Sequence, residues 1–111
     1  MSQDHTEIGG LRWGASYWKG TNASWPFARL RVTPETISVS IDMVGFGSEN
    51  FVFTRAELTR IKKKKGILPF STGIIFEHTN SSYPPFILFW TLRYARLRAE
   101  LLRFGFSIAE S

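Results

Sequence analysis

The clearest pattern along the chain is a two-residue alternation. Ile37, Val39, Ile41 and Met43 alternate with Ser38, Ser40 and Asp42, the period of a strand with one face in a core and one in water. Phe27 to Thr33 does the same, with Ala28, Leu30 and Val32 on one face and Arg29 and Arg31 on the other. Between them Thr33-Pro34-Glu35-Thr36 reads as a turn, its proline presetting φ, so the two segments predict a hairpin. Further strands are predicted at Phe51 to Phe53, Leu58 to Lys65, Gly73 to Thr79 and Phe86 to Trp90, with Gly45 to Asn50, Gly66 to Ser71 and Asn80 to Pro85 as connections. Thr54-Arg55-Ala56-Glu57 has the spacing of a capping box and predicts a single helical turn. Leu11 to Lys19, aromatic but broken by glycine, reads as a short or bulged strand, and Gly20 to Pro26 as a loop.

From Thr91 the period lengthens to 3.6. Trp90, Tyr94, Leu97, Leu101 and Phe104 fall on one stripe, with Arg93, Arg96, Glu100 and Arg103 opposite and Gly105 as the stop. Strands in succession without intervening helices exclude a parallel α/β sheet. The expectation is a mainly β domain with one C-terminal helix: an antiparallel, partly open barrel of about seven strands capped by an amphipathic α-helix. Such a stripe also suits a helix lying on a membrane, but the sheet otherwise lacks a cover, so the stripe is read as core. The domain is expected over residues 11–106, after a disordered tail at 1–10 and before a frayed tail at 107–111.

The strand pair ARLRVTPETISVSI, the stretch FVFTRAELTRIKKKKG, the pair GIIFEHT and FILFW, and the final WTLRYARLRAELLRFGF, together spanning Ala28 to Phe106, resemble the pleckstrin-homology-like (PH-like) superfold, in particular small single-domain bacterial PH-like proteins. The resemblance implies a non-enzymatic docking module for anionic lipids, membranes or peptides. Lipid-reading members carry basic residues around the first hairpin loop. Here that loop is read as TNASWP with only Lys19 beside it, so specific phosphoinositide recognition is not expected.

Composition narrows the chemistry. At 111 residues one domain with an adequate core is expected. The absence of cysteine excludes disulfides, thiolate metal sites and cysteine nucleophiles. Met1 to Gly10 has no signal-peptide character, and the longest apolar run, Phe86 to Trp90, is far too short to span a bilayer. A cytoplasmic protein is expected, peripheral at the inner membrane face if its partner is a membrane. The net charge of +5 is concentrated in Arg55 to Lys65 and Arg93 to Arg103, which favours anionic partners.

The run Arg60-Ile61-Lys62-Lys63-Lys64-Lys65 is the leading candidate for the anionic contact, since lysine is a mobile point charge that suits phosphate-rich surfaces without demanding one geometry. Its bland reading is an edge strand whose lysines block aberrant pairing. Trp18 and Trp25, with Trp13 nearby, are candidate partner-contact aromatics, or else structural rings closing the barrel. His78 follows Glu77; strand neighbours point to opposite faces, so the two cannot act as an acid/base pair, and His78 is read as a hydrogen-bonded residue near a strand end. With His5 in the tail, no metal-ligand spacing, phosphate loop or nucleophile motif is found. The expectation is therefore no catalytic residue, no metal and no cofactor. The leading function is docking to an anionic membrane surface or a protein partner; the alternative is a small basic nucleic-acid-binding barrel.

Overall fold

The computed structural model of the chain describes residues 4–43, 47–66 and 72–110. Seven strands form one antiparallel sheet: β1 (His5–Gly14), β2 (Gly20–Val32), β3 (Thr36–Met43), β4 (Gly47–Thr54), β5 (Leu58–Lys64), β6 (Gly73–His78) and β7 (Phe86–Trp90), followed by α1 (Tyr94–Arg103). The strand order is β4-β3-β2-β1-β7-β6-β5, so β1 sits at the centre and β4 and β5 are the edges. The sheet curls into a half-barrel with the helix over its concave side, as the period change predicts. The segments read as connections at Gly66 to Ser71 and Gly45 to Asn50 lie partly outside the described residues, but β4 already begins at Gly47.

The predicted hairpin of β2 and β3 is present, Leu30 opposite Val39 and Val32 opposite Ile37, all four fully buried. The segment 1–10 is not a tail from His5 onward: it is the first half of β1, paired with β2 from His5↔Val32 to Gly9↔Ala28. It escapes sequence reading because its inward positions carry His5, Glu7 and Gly9 rather than apolar side chains. His5 Nε2 lies 3.0 Å from Glu7 Oε1, and the Thr91 hydroxyl lies 3.4 Å from Glu7 Oε2 and 3.2 Å from the Ile8 carbonyl oxygen. The buried polar residues thus satisfy one another. Thr91 Oγ1 also accepts the Arg93 N–H at 3.1 Å, tying the start of the helix to β1.

At Gly9 a methyl group would sit 2.1 Å from the Trp90 carbonyl oxygen, and at Gly10 one would strike the Trp90 indole at 2.2 Å. The glycine pair lets β7 cross β1 closely and lets Trp90 lie across it. Opposite this point the ladder jumps from Gly9↔Ala28 to Leu11↔Ala23, so Ser24 to Phe27 bulge outward. Gly20 to Pro26, read as a loop, therefore belongs to β2, and the first hairpin loop is Ala15 to Lys19, where the Ala15 N–H donates to the Lys19 carbonyl at 3.0 Å.

The helix places Leu97 and Leu101 at zero exposure in one cluster with Leu30, Ile37, Phe53, Ile74 and Phe89. Full burial of each leucine contributes about 1.5–3 kcal/mol. Phe104 and Phe106 extend the seal. Trp90 is the exception to the predicted stripe: it ends β7, and as the strand neighbour of the buried Phe89 it lies on the convex side. Across the seam between β4 and β5, Phe53 stacks on Phe76 at 5.6 Å and Tyr83 meets Phe51 and Phe53 edge-on.

The capping-box residues make their reciprocal bonds, the Thr54 N–H to Glu57 Oε1 at 3.0 Å and the Glu57 N–H to Thr54 Oγ1 at 3.3 Å, but they close a turn rather than a helical turn, since β5 starts at Leu58. Next to them Arg55 stacks on Phe106 at 4.0 Å and donates to the carbonyls of Pro34 (2.7 Å), Gly105 (3.4 Å) and Phe104. It joins the β2–β3 turn to the end of the helix, where carbonyls lack internal donors. Arg55→Ala is expected to cost about 1–3 kcal/mol in urea unfolding, with Arg55→Lys restoring only part, because an ammonium lacks the planar fork.

The C-terminal residues are not frayed through Glu110. Ala109 bridges to β5, accepting from the Lys63 N–H at 2.7 Å and donating to the Ile61 carbonyl at 2.8 Å. Arg98 and Glu110 form an ion pair at 2.5 Å, which raises the arginine pKa and lowers that of Glu110.

Candidate functional site

Strand alternation divides the lysine run. On β5, Lys63 lies opposite the fully buried Ile74 and its ammonium is 5.3 Å from the Tyr94 ring of the helix. Lys62 lies opposite Ile75 and Lys64 opposite Gly73, on the convex face. Because β5, β6, β7 and β1 are neighbours, the register builds two rows across that face. One runs Lys62, Ile75, Leu88, Arg12; the other runs Lys64, Gly73, Trp90, Gly10. The result is an apolar strip flanked by cations on both sides.

The first hairpin loop folds over one end of this strip. Arg12 Nε donates to the Tyr17 carbonyl at 2.6 Å, and the guanidinium stands 5.3 Å from the Tyr17 ring. The Lys64 ammonium is 5.7 Å from the same ring, so cations from β1 and β5 flank one phenol. Tyr17 meets Phe86 at 5.8 Å and Trp18 at 5.0 Å, both edge-on. Together they bound a cleft of about 700 Å³ floored by Ile75, Leu88 and Trp90, with Lys64, Lys65 and Trp18 at its margin. That volume lies within the range of small-ligand sites. Trp18 is 84% exposed, so its indole does not serve the core.

Of the residues singled out in the sequence, Lys64, Lys65 and Trp18 come together here. Lys62 is one rung along on the same face. Arg60 is at the far end of β5, opposite Glu77 and beside the C-terminal segment. Trp25 is elsewhere, in the β2 bulge. Arg12, Tyr17 and Trp90 were missed as site residues. The alternation Leu11-Arg12-Trp13 carried a signal for Arg12, which must point away from Leu11 and Trp13 if these are core. Placing the loop at Ala15 to Lys19 also revises the reading that the first hairpin lacks basic neighbours: Arg12, Lys64 and Lys65 all flank it.

Both histidines are engaged in hydrogen bonds, His5 with Glu7 and His78 with its own turn. His78 Nδ1 accepts the Asn80 N–H at 3.1 Å while Nε2 lies 2.8 Å from the Pro84 carbonyl oxygen, an arrangement that calls for the neutral tautomer protonated on Nε2. Glu77 is exposed on the other face. Glu57 accepts from Asn80 Nδ2 at 2.8 Å; its pKa is lowered from 4.5 chiefly by the Thr54 backbone N–H, against a smaller opposing effect of burial. A carboxylate held below its unfolded value stabilises the fold above that value and loses this effect as pH falls through the lowered one. Stability should therefore fall in acid below the ordinary glutamate range, and Glu57→Gln should flatten that part of the thermal-melt profile while costing stability at neutral pH.

Among the described residues no cluster of three histidine, aspartate or glutamate side chains could hold a metal, and no helix is long and apolar enough to cross a membrane. No protein-family model matches the chain, and no curated protein sequence matches it. Among solved structures it is similar to SsgB of Streptomyces coelicolor, at 16% identity and a TM-score of 0.49 over 94% of this chain and 90% of that one. Mutations in SsgB correlate with longitudinal cell division during sporulation; a likeness at this level carries no function across.

Proposed function

We propose that the chain is a non-enzymatic docking module of the PH-like type that settles on an anionic membrane surface through the tip of its first hairpin. The antiparallel half-barrel closed by a C-terminal helix supports the PH-like reading. The observation that carries the docking reading is the exposed indole of Trp18 beside Lys64, Lys65 and Arg12 over an apolar floor. Indoles favour the membrane–water boundary, where the ring is buried and the N–H stays wet. Each basic residue near an anionic leaflet contributes about 1 kcal/mol, so the tip and its cations act together where neither suffices alone.

The chain should co-sediment with vesicles of phosphatidylserine and phosphatidylcholine and not with phosphatidylcholine alone. Binding by the parent to neither removes the membrane reading, and equal binding to both removes the anionic one. Tighter binding to single-stranded DNA than to the anionic vesicles would favour a nucleic-acid role instead.

A further inference from the structure

A second surface stands apart from the lysine cleft. Its position follows from the bulge at Ser24 to Phe27, which turns Trp25 away from the sheet at the level where β1 meets the start of the helix. Trp25, Ile8 and Leu92 line a cleft of about 320 Å³. They are 45%, 44% and 50% exposed, whereas the floor is polar and buried: Glu7, paired with His5, and Thr91. Phe27, two residues further along the bulge, is exposed as well. Large apolar side chains gathered at one place, rather than scattered, mark an interaction surface.

The charges around this cleft are specific. Arg12, Arg31, Arg55, Arg98 and Arg103 are each engaged by a carbonyl, a carboxylate or a ring, and Arg60 has an interaction of its own. Among the described residues the guanidinium groups left without a partner are Arg29, Arg93 and Arg96. All three are at this surface: Arg93 and Arg96 line the cleft, and Arg29 stands directly opposite Ile8 in the β1–β2 ladder. Among the described residues, then, arginines elsewhere are satisfied and those around the exposed apolar residues are not.

We propose that this surface binds an acidic segment of a protein partner, with an apolar side chain seated between Trp25, Ile8 and Leu92 and carboxylates on Arg29, Arg93 and Arg96. Guanidinium groups grip carboxylates in a two-pronged geometry, and tryptophan and arginine together are the residue types that dominate binding energy at protein interfaces. The aliphatic Ile8 and Leu92 complement a side chain rather than a planar base. The Glu7 carboxylate beneath them repels a phosphate chain pressed into the cleft, which keeps the negative groups of the occupant at the arginine margin. The surface does not depend on the lysine cleft, so it stands whether or not the chain binds membranes.

A displayed library of random peptides, panned against the folded chain, tests this. Selected peptides should be rich in aspartate and glutamate around leucine or an aromatic residue. Synthetic copies should bind about thirtyfold more weakly to Trp25→Ala, the scale of an interface hot spot, and about tenfold or more weakly to the Arg93→Glu, Arg96→Glu double variant. Lys64→Glu, Lys65→Glu should bind the same peptides as the parent does. Thermal melts confirm that the variants are folded, and Trp25→Phe, which keeps an apolar ring, should recover part of the loss. Peptides without acidic enrichment, peptides bound by the Trp25 and arginine variants as tightly as by the parent, failure to select any peptide, or stronger binding of single-stranded DNA at this surface would each overturn the proposal.

Discussion

Leu97→Ala and Leu101→Ala are each expected to lower stability by about 2–5 kcal/mol, and the double variant by about 4–10 kcal/mol. Both side chains are at zero exposure beneath the helix, so each truncation loses the transfer free energy of the removed methyl groups and leaves a cavity that surrounding strands cannot fully collapse into. A domain of this size has a total stability of about 5–15 kcal/mol, so two such losses consume much or all of it. Leu102→Ala is the internal control. It is the next residue along the same helix, 45% exposed, and should change stability by no more than about 0.5 kcal/mol. Urea unfolding followed by circular dichroism separates the outcomes. Similar losses at Leu101 and Leu102 would mean that the helix does not seal the half-barrel.

The legibility of this fold followed the polarity of its inward-facing residues. Strands β3, β6 and β7 and the helix were readable because apolar side chains fill their core positions at a regular period. The first half of β1 was not, because its inward residues are a histidine, a glutamate and a glycine whose pairing with Thr91 and closeness to Trp90 exist only once distant segments meet. The start of β2 was hidden by the Ser24 to Phe27 bulge, which breaks the period and adds a proline. Trp90 fitted both a strand alternation and a helical stripe, and periodicity alone cannot choose at a junction. For the site, the lysines were plain, but their division into Lys63 toward the helix and Lys62 and Lys64 outward needed the register with β6. The company of Arg12 and Tyr17 needed the β1-β7-β6-β5 order, which no local pattern encodes.

The second large effect is expected at the docking tip. Lys64→Glu, Lys65→Glu should reduce binding to phosphatidylserine vesicles by about a thousandfold, because each reversal both removes an attraction of about 1 kcal/mol and adds a comparable repulsion. Trp18→Ala should reduce binding by about tenfold or more, and without the steep salt dependence of the lysine effect, because indole insertion is a transfer from water rather than a screened charge interaction. Lys63→Glu should act less than Lys64→Glu, since Lys63 faces Tyr94 of the helix. Arg60→Glu, at the far end of β5, should act least of the basic residues. A uniform loss across Arg60, Lys63, Lys64 and Lys65 would indicate attraction by net charge, with no particular face presented.

The most direct measurement is hydrogen–deuterium exchange of the folded chain with and without vesicles of phosphatidylserine and phosphatidylcholine. Docking through the hairpin tip predicts added protection over residues 12–20 and 62–66, with the Trp25 bulge and the start of the helix unchanged. Protection centred on residues 25–29 and 92–96, or none at residues 12–20 when the chain is demonstrably vesicle-bound, would contradict it.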